Sequence, residues 1–307
     1  MLTLRNLGKS FDNGSERLPL FHHLDLTLAA GEITLLLGQS GCGKSTLLNL
    51  IAGLLPPDEG EIWLGETRLD NQSADERARL RGRHFGIVYQ DFNLLPTLTV
   101  AENLALPLAI NQLARDETRI DGLLERLDLA HKRHAWPEQL SGGQRQRVNI
   151  ARNLAVEAEV VLADEPTSML DVSIRIGILN LMEQMKDELG VSMLYITHDI
   201  ATARYVAEDL AVMYVGHMVE WGEVDEILHH PQHPYTQLLI SAVPDPEKSI
   251  HAELEGGRKG EIPLWTPESC GCPFAGRCNQ AMPRCKETLP PVSKLADNHF
   301  VRCYLYQ

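Results

Sequence analysis

The sequence predicts an α/β protein of the P-loop class, on three observations. Residues 38 to 46, Gly-Gln-Ser-Gly-Cys-Gly-Lys-Ser-Thr, lie between the apolar run Ile33-Thr34-Leu35-Leu36-Leu37 and Leu47-Leu48-Asn49-Leu50-Ile51-Ala52. Three further apolar runs each end in polar residues. The length, 307 residues, holds one large α/β domain and a small appendage.

The G-x-x-x-x-G-K-S spacing is the strongest of these. Its glycines let backbone N–H groups wrap phosphates, the helix start favours negative charge, and Lys44 reaches the β and γ phosphates. Gly38, Ser40, Gly41, Cys42, Gly43, Lys44, Ser45 and Thr46 are therefore the expected ATP-binding residues, with Ser45 a ligand of Mg²⁺. Cys42 at a helix start reads either as a thiol of lowered pKa, hence reactive, or as a small residue at a variable position.

Composition narrows the rest. Apolar residues at 44% and charged residues at 23% are those of a globular chain. The net charge of −14, with no basic stripe, argues against a protein that grips nucleic acid by its phosphates. Arg77 to Arg83, the nearest thing to a basic run, reads as a solvated helix face. No apolar segment approaches the ~18 residues of a membrane span and Met1-Leu2-Thr3-Leu4-Arg5 lacks a signal-peptide core, so the expectation is a cytosolic protein.

In chain order, Leu2-Thr3-Leu4 and Leu24 to Leu28 read as short strands that lead to the buried run 33–37. Phe11 lies upstream of the loop as a residue able to stack on a purine, or as an ordinary core aromatic. Pro56 to Gly60 reads as a turn, Glu61-Ile62-Trp63-Leu64 as a strand and Ser73 to Arg83 as a polar helix. Phe85 to Gln90 is a strand that places the Gln90 amide at its end. Residues 99 to 136 are helical by pattern, with Pro107 a kink or break.

Ser141-Gly142-Gly143-Gln144 opens a helix to Leu154. With Ser141 as N-cap it forms a second anion-binding helix start, so the chain carries two phosphate sites where one is usual. Val160 to Glu165 is a buried strand ending in two carboxylates: Asp164 to hold Mg²⁺ through water, Glu165 to polarise an attacking water. Met193 to Thr197 is another buried strand, and His198 at its end is placed to reach a γ-phosphate.

Together these motifs resemble the nucleotide-binding subunit of ATP-binding cassette (ABC) transporters across residues 1 to 240, with a helical subdomain at about 91–157. Leu140-Ser141-Gly142-Gly143-Gln144 is the most specific of them. The resemblance implies a RecA-like core with a β-rich and an α-helical subdomain. It makes Phe11 the adenine-stacking aromatic, Gln90 the Q-loop glutamine and a Mg²⁺ contact, Glu165 the catalytic base, His198 the switch histidine and Asp171 the D-loop aspartate, with Met169 departing from the usual alanine. Two cassettes would sandwich two ATP molecules, so that Ser141 to Gln144 contact the nucleotide of the partner. A second ATPase subunit, identical or paralogous, two membrane permease subunits and, for an importer, an extracytoplasmic solute-binding protein are the implied partners, at the cytoplasmic face of the membrane.

Two branches of the family are resembled. Val88 to Asn103 looks like the lipoprotein-release and macrolide-export branch, whereas the chain from Ser168 onward, with His233-Pro234-Tyr235-Thr236 and a cysteine-bearing tail, looks like the oligopeptide/dipeptide importers. A natural mosaic or a constructed chimera would have this form. The tail favours peptide import, with an export-type complex as the alternative and a soluble cassette acting on nucleic acid or ribosomes as the other class.

Residues 241 to 269, with Pro244, Pro246, Gly256, Gly257, Gly260 and Pro263, read as a linker. A cysteine-rich module, 270 to 307, follows, in which Cys272, Cys278, Cys285 and Cys303 are spaced C-x₅-C-x₆-C-x₁₇-C with Cys270 extra. The gaps are wider than a zinc knuckle, and four thiolates on irregular loops can also hold an iron–sulfur cluster. The module resembles the C-terminal extension of oligopeptide-importer ATPases, some of which bind [4Fe–4S]; Zn²⁺ or no metal are the other readings. The run His229 to Pro234 reads as a turn into a helix near Tyr235, or as a metal tract.

Overall fold

A computed structural model describes residues 1–14, 16–242, 263 and 265–307. Most of the predicted linker, residues 243–262 and 264, therefore lies outside the described residues. Twelve strands and nine α-helices are built from the rest.

Strands β1 (Leu2–Asp12), β2 (Arg17–Leu28), β4 (Glu59–Leu64) and β5 (Thr67–Arg68) form an antiparallel sheet in the order β2-β1-β4-β5. The two entry strands are longer than the three to five residues read from the sequence. Their outer halves, around Lys9 to Asp12 and Arg17 to Leu20, are exposed or half-buried and held by cross-strand pairing, with Lys9 opposite Phe21 and Asp12 opposite Arg17. Apolar alternation marks the buried part of a strand only.

The second sheet has eight strands in the order β11-β12-β10-β9-β3-β8-β7-β6. They are β3 (Ile33–Leu37), β6 (Phe85–Val88), β7 (Val160–Asp164), β8 (Ser192–Thr197), β9 (Asp209–Tyr214), β10 (His217–Glu223), β11 (Ser293–Ala296) and β12 (His299–Val301). Strands β6, β7, β8, β3 and β9 are parallel; β10 to β12 are antiparallel. A parallel sheet buried on both faces explains their continuous apolar runs. Side chains still divide by period two: Leu35, Leu37, Val161, Ala163, Met193 and Tyr195 join one core, and Leu36, Leu162, Leu194 and Ile196 the other.

Helices α1 (Lys44–Ile51) and α2 (Ala74–His84) follow β3 and β5, the latter capped by Ser73 and without a buried residue, as a solvated face requires. Between β6 and β7 stand α3 (Val100–Ile110), α4 (Glu117–Arg126) and α5 (Gly142–Leu154). The predicted helix over 99–136 is thus two helices and a 3₁₀ turn at Ala130–Lys132. Pro107 sits within α3 without ending it; the break comes at Asn111, whose amide donates back to the Pro107 carbonyl, and at Gln112, in left-handed backbone (φ 57°).

After β7 come α6 (Val172–Leu189), α7 (Ile200–Val206), α8 (Val224–His229) and α9 (Pro234–Ser241). The tail does not stand apart from this body. Strand β12 pairs with β10 through Glu220↔Val301 and Gly222↔His299, so residues 293–301 extend the main sheet.

Candidate active site at the strand ends

The carboxyl ends of the parallel strands are brought level by register. Leu37 lies opposite Thr197, Asp164 opposite Ile196 and Val88 opposite Ala163. The polar residues that follow each strand therefore meet on one edge, the usual place for a ligand in an open α/β sheet. A cleft of ≈ 410 Å³ opens there, and it is lined by Phe11, Leu20, Ser40, Gly41, Gly43, Lys44, Ser45, Thr46, Gln90, Asp164 and Glu165.

The loop's shape has local causes. Gly43, the N-cap of α1, takes φ 109°, and a Cβ there would lie 2.9 Å from the Phe21 ring; a Cβ on Gly38 would lie 2.6 Å from the Met213 carbonyl. Only glycine fits either place. Lys44 is buried, and its Nζ donates to the carbonyls of Gly38 (2.6 Å) and Gln39 (3.1 Å). Cys42 is buried too, and burial pushes its thiol above the ordinary value. Burial thus works against the reactive reading of Cys42 and outweighs the nearby Lys44 charge.

Asp164 has its pKa raised, first by burial and then by the neighbouring Glu165 carboxylate, against a hydrogen bond from the Ser45 side chain and the Lys44 charge. A buried carboxylate beside a second carboxylate and a hydroxyl is a donor set that gains from a hard cation. Glu165 itself occupies left-handed backbone (φ 47°), fixed by its N–H donating to the Ile196 carbonyl (2.9 Å). Non-glycine residues hold such a conformation only where the surroundings over-determine it, and here it turns the carboxylate into the cleft. His198 Nδ1 lies 3.0 Å from Glu165 Oε1, and its side chain is exposed.

Phe11 is 43% exposed and lines the cleft, with Lys9 Nζ 5.6 Å from its ring centroid; the alternative of a packed core aromatic is set aside. Ser141 caps α5 with both bonds of a capping box, its hydroxyl accepting from Gln144 N–H and Gln144 Oε1 accepting from Ser141 N–H. This helix start, with Gly142 and Gly143, does not line the cleft of its own chain. Asp171 precedes α6 as its N-cap residue. Sequence reasoning passed over one connection: buried Gln146 of α5 donates to the Pro166 carbonyl just past Glu165 (2.6 Å), and Arg152 bridges Asn149 to the Asn93 carbonyl beyond Gln90. Buried amides on a helix otherwise polar at its start were the available signal.

The cysteines gather at one end of the second sheet. Burial comes first in raising Cys272 to about 12 and Cys303 to about 11, with further contributions from the other cysteines of the set; Cys278 is raised by burial and by Cys285. Backbone N–H groups of Gln280 and Met282 donate to the sulfurs of Cys278 and Cys285. Among the described residues no group of three or more His, Cys, Asp or Glu is placed to hold a metal ion. His233 of the histidine run is buried and caps α9 through its Nδ1, which confirms the turn reading over the metal tract.

Comparison with known proteins settles the family. The sequence matches the profile described as ABC transporter over residues 21–168 and that described as oligopeptide/dipeptide transporter, C-terminal region, over residues 219–285. It is 38% identical over 291 residues to the oligopeptide transport ATP-binding protein OppF of Salmonella typhimurium (91% of this chain, 85% of that one). The chain belongs to the ABC transporter ATP-binding subunits, of the oligopeptide/dipeptide type. The oligopeptide transport ATP-binding protein AppF of Bacillus subtilis is 37% identical over 292 residues, covering 92% of this chain and 88% of AppF. Among solved structures, a dimeric post-hydrolysis state of the ATP-binding cassette MJ0796 bound to ADP and Pi superposes with TM-score 0.67 at 34% identity, covering 73% of this chain and 99% of that one. The α/β cassette fold expected from the sequence is the fold observed, and among the described residues no helix is long and apolar enough to cross a membrane.

Proposed function

We propose that the chain is an ATPase subunit of a peptide importer, coupling ATP hydrolysis in a cassette pair to uptake. One observation carries the branch: the oligopeptide/dipeptide C-terminal region is matched in sequence over residues 219–285, which begins within β10, and the residues that follow it return to pair with that strand as β12. The exporter-like stretch Val88 to Asn103 is the ground for the alternative. Co-purification decides between them. Two permease chains that transport peptide are expected with the tagged protein; a lipoprotein-release or drug-export permease in their place would overturn the reading, as would salt-sensitive nucleic-acid binding.

In the proposed mechanism the loop Gly38 to Thr46 grips the triphosphate of ATP, and Lys44 exchanges its two loop carbonyls for phosphate oxygens. Phe11 stacks on adenine. Ser45, Asp164 and Gln90 would hold Mg²⁺, which supplies charge neutralisation of the phosphates. Glu165 polarises the attacking water, and His198, hydrogen-bonded to it, senses the γ-phosphate. Ser141 to Gln144 close on the ATP of a second cassette. Support for that pairing comes from the surface beside Asp171: Met169, Val172 and Ile176 are exposed apolar residues, the last two one turn apart on α6, and the MJ0796 cassette to which the chain is similar is dimeric.

Cys272, Cys278, Cys285 and Cys303 would hold a [4Fe–4S] cluster, a reading supported by their mutual proximity and by the two N–H···S contacts. Such a cluster would supply redox capacity or a structural cross-link. Iron and acid-labile sulfide are expected in anaerobically purified protein; stoichiometric zinc without sulfide overturns it.

A further inference from the structure

The P-loop is held from behind by the C-terminal tail. Gln39, the loop residue that follows Gly38, is the hub of the loop's own hydrogen bonds: its carbonyl accepts from Cys42 N–H (3.2 Å) and from Lys44 Nζ (3.1 Å). Its remaining polar groups point away from the cleft. The Gln39 N–H donates to the Tyr235 hydroxyl (3.2 Å), and its side-chain Oε1 accepts from Arg277 Nη1 (3.3 Å).

Arg277 is itself fixed. Nη1 also donates to the Tyr214 hydroxyl (3.2 Å), and the guanidinium lies 5.5 Å from the Phe274 ring centroid and 5.9 Å from that of Tyr214. Tyr214, Tyr235 and Phe274 pack with centroids 4.5 to 5.4 Å apart. Phe274 is fully buried, and burial raises both phenols, so they stay neutral hydrogen-bonding groups. Phe274 and Arg277 both lie on the tight turn that Cys272 and Cys278 bracket, where Ala275 N–H donates to the Cys272 carbonyl and Cys278 N–H to the Phe274 carbonyl.

We propose that Arg277 is a positioning residue of the ATP site: through Gln39 it sets the loop conformation that presents Lys44 and the loop N–H groups to phosphate, so the state of the Cys272–Cys278 turn is read out as nucleotide affinity. The physical reason is pre-organisation. A loop already held in its binding shape loses less conformational freedom when phosphate arrives. Arg277 does not line the cleft, so its removal alters binding more than the chemical step.

The proposal rests on residues 38–46 binding ATP, which Lys44→Ala tests separately. In the full-length chain, Arg277→Ala is expected to raise the Kd for MgATP, measured by calorimetry, about five- to tenfold, to raise KM similarly, and to change kcat less than twofold. Gln39→Ala should give a like effect, and the double variant should be no worse than either single one, as two residues acting through one contact require. Arg277→Lys, which keeps the charge and one donor, should recover part of the affinity, and hydrogen exchange at residues 39–43 should quicken in Arg277→Ala. Additive losses in the double variant, or an Arg277→Ala protein with lowered Tm but parental Kd, would overturn the proposal. Should Arg277→Ala fail to fold, Arg277→Lys against Gln39→Ala gives the same cycle. If Lys44→Ala left MgATP binding intact, the ATP-site reading would fall instead.

Discussion

Glu165 and Lys44 carry opposite kinds of loss. Replacing the carboxylate of Glu165 by an amide keeps its backbone, its place in the cleft and its hydrogen bond to His198, and removes only the proton acceptor. Glu165→Gln should therefore bind MgATP with parental affinity while turnover falls by about 10² to 10⁴, the range for loss of a general base, and the closed cassette pair should live longer. Turnover at the parental rate would take the base role from Glu165. Lys44→Ala should instead weaken MgATP binding, because the one buried ammonium among the residues lining the cleft is gone. The P-loop, the two strand-end acids and His198 were legible in the sequence because each is a polar interruption directly after an apolar strand. Gln39 and Arg277 were not, since the contact between them spans 238 positions and neither sits in a periodic pattern. The sequence marked Tyr235 only as part of a family motif, without its contact to the loop.

Two elements decide the geometry around the site. In α5 the Ser141 cap is worth about 1 kcal/mol to the helix, and the same helix start is offered to a partner cassette. Ser141→Arg should leave nucleotide binding on this chain's own loop intact while abolishing hydrolysis at the site it completes, measured by vanadate trapping of labelled nucleotide; retained trapping there would mean that the helix start does not close a site. Helix α9 is capped by a neutral histidine. His233 is depressed to about 3 by burial, and its Nδ1 accepts from Tyr235 N–H; His217 is depressed to about 4, mainly by burial. An unfolded histidine titrates near 6.5. Below that pH the unfolded chain takes up protons that these native histidines refuse, so their stability contribution is complete above about 6.5 and is lost as pH falls towards 4, at up to about 1.4 kcal/mol per pH unit for each group. Urea midpoints should drop between pH 7 and 5, and less steeply in His233→Asn, whose side-chain oxygen can still cap. An equal slope in both proteins would contradict this. Where the sequence misjudged elements, the cause was local: the outer halves of β1 and β2 are exposed or half-buried, without apolar alternation and with Pro19 in the second, and the α3–α4 break needs a left-handed Gln112 that no glycine or proline announces.

For the whole molecule, the strand ends assemble half of an ATP site, and the helix start that would complete a second half lies outside the cleft of the same chain. The proposed catalytic unit is therefore a pair of cassettes, and its proposed output is movement of permeases supplied by other chains. The strands of the parallel core were legible as apolar runs around the phosphate loop, whereas their order in the sheet and the union of the tail with it were not, because pairing is non-local and β11 and β12 are only four and three residues long. ATP-dependent uptake of a labelled oligopeptide by the purified complex in proteoliposomes tests the account most directly. Uptake is expected with the parental chain and its loss with Glu165→Gln under saturating MgATP. Undiminished uptake with Glu165→Gln, or a complex that hydrolyses ATP and releases lipoprotein while leaving peptide outside, would contradict it.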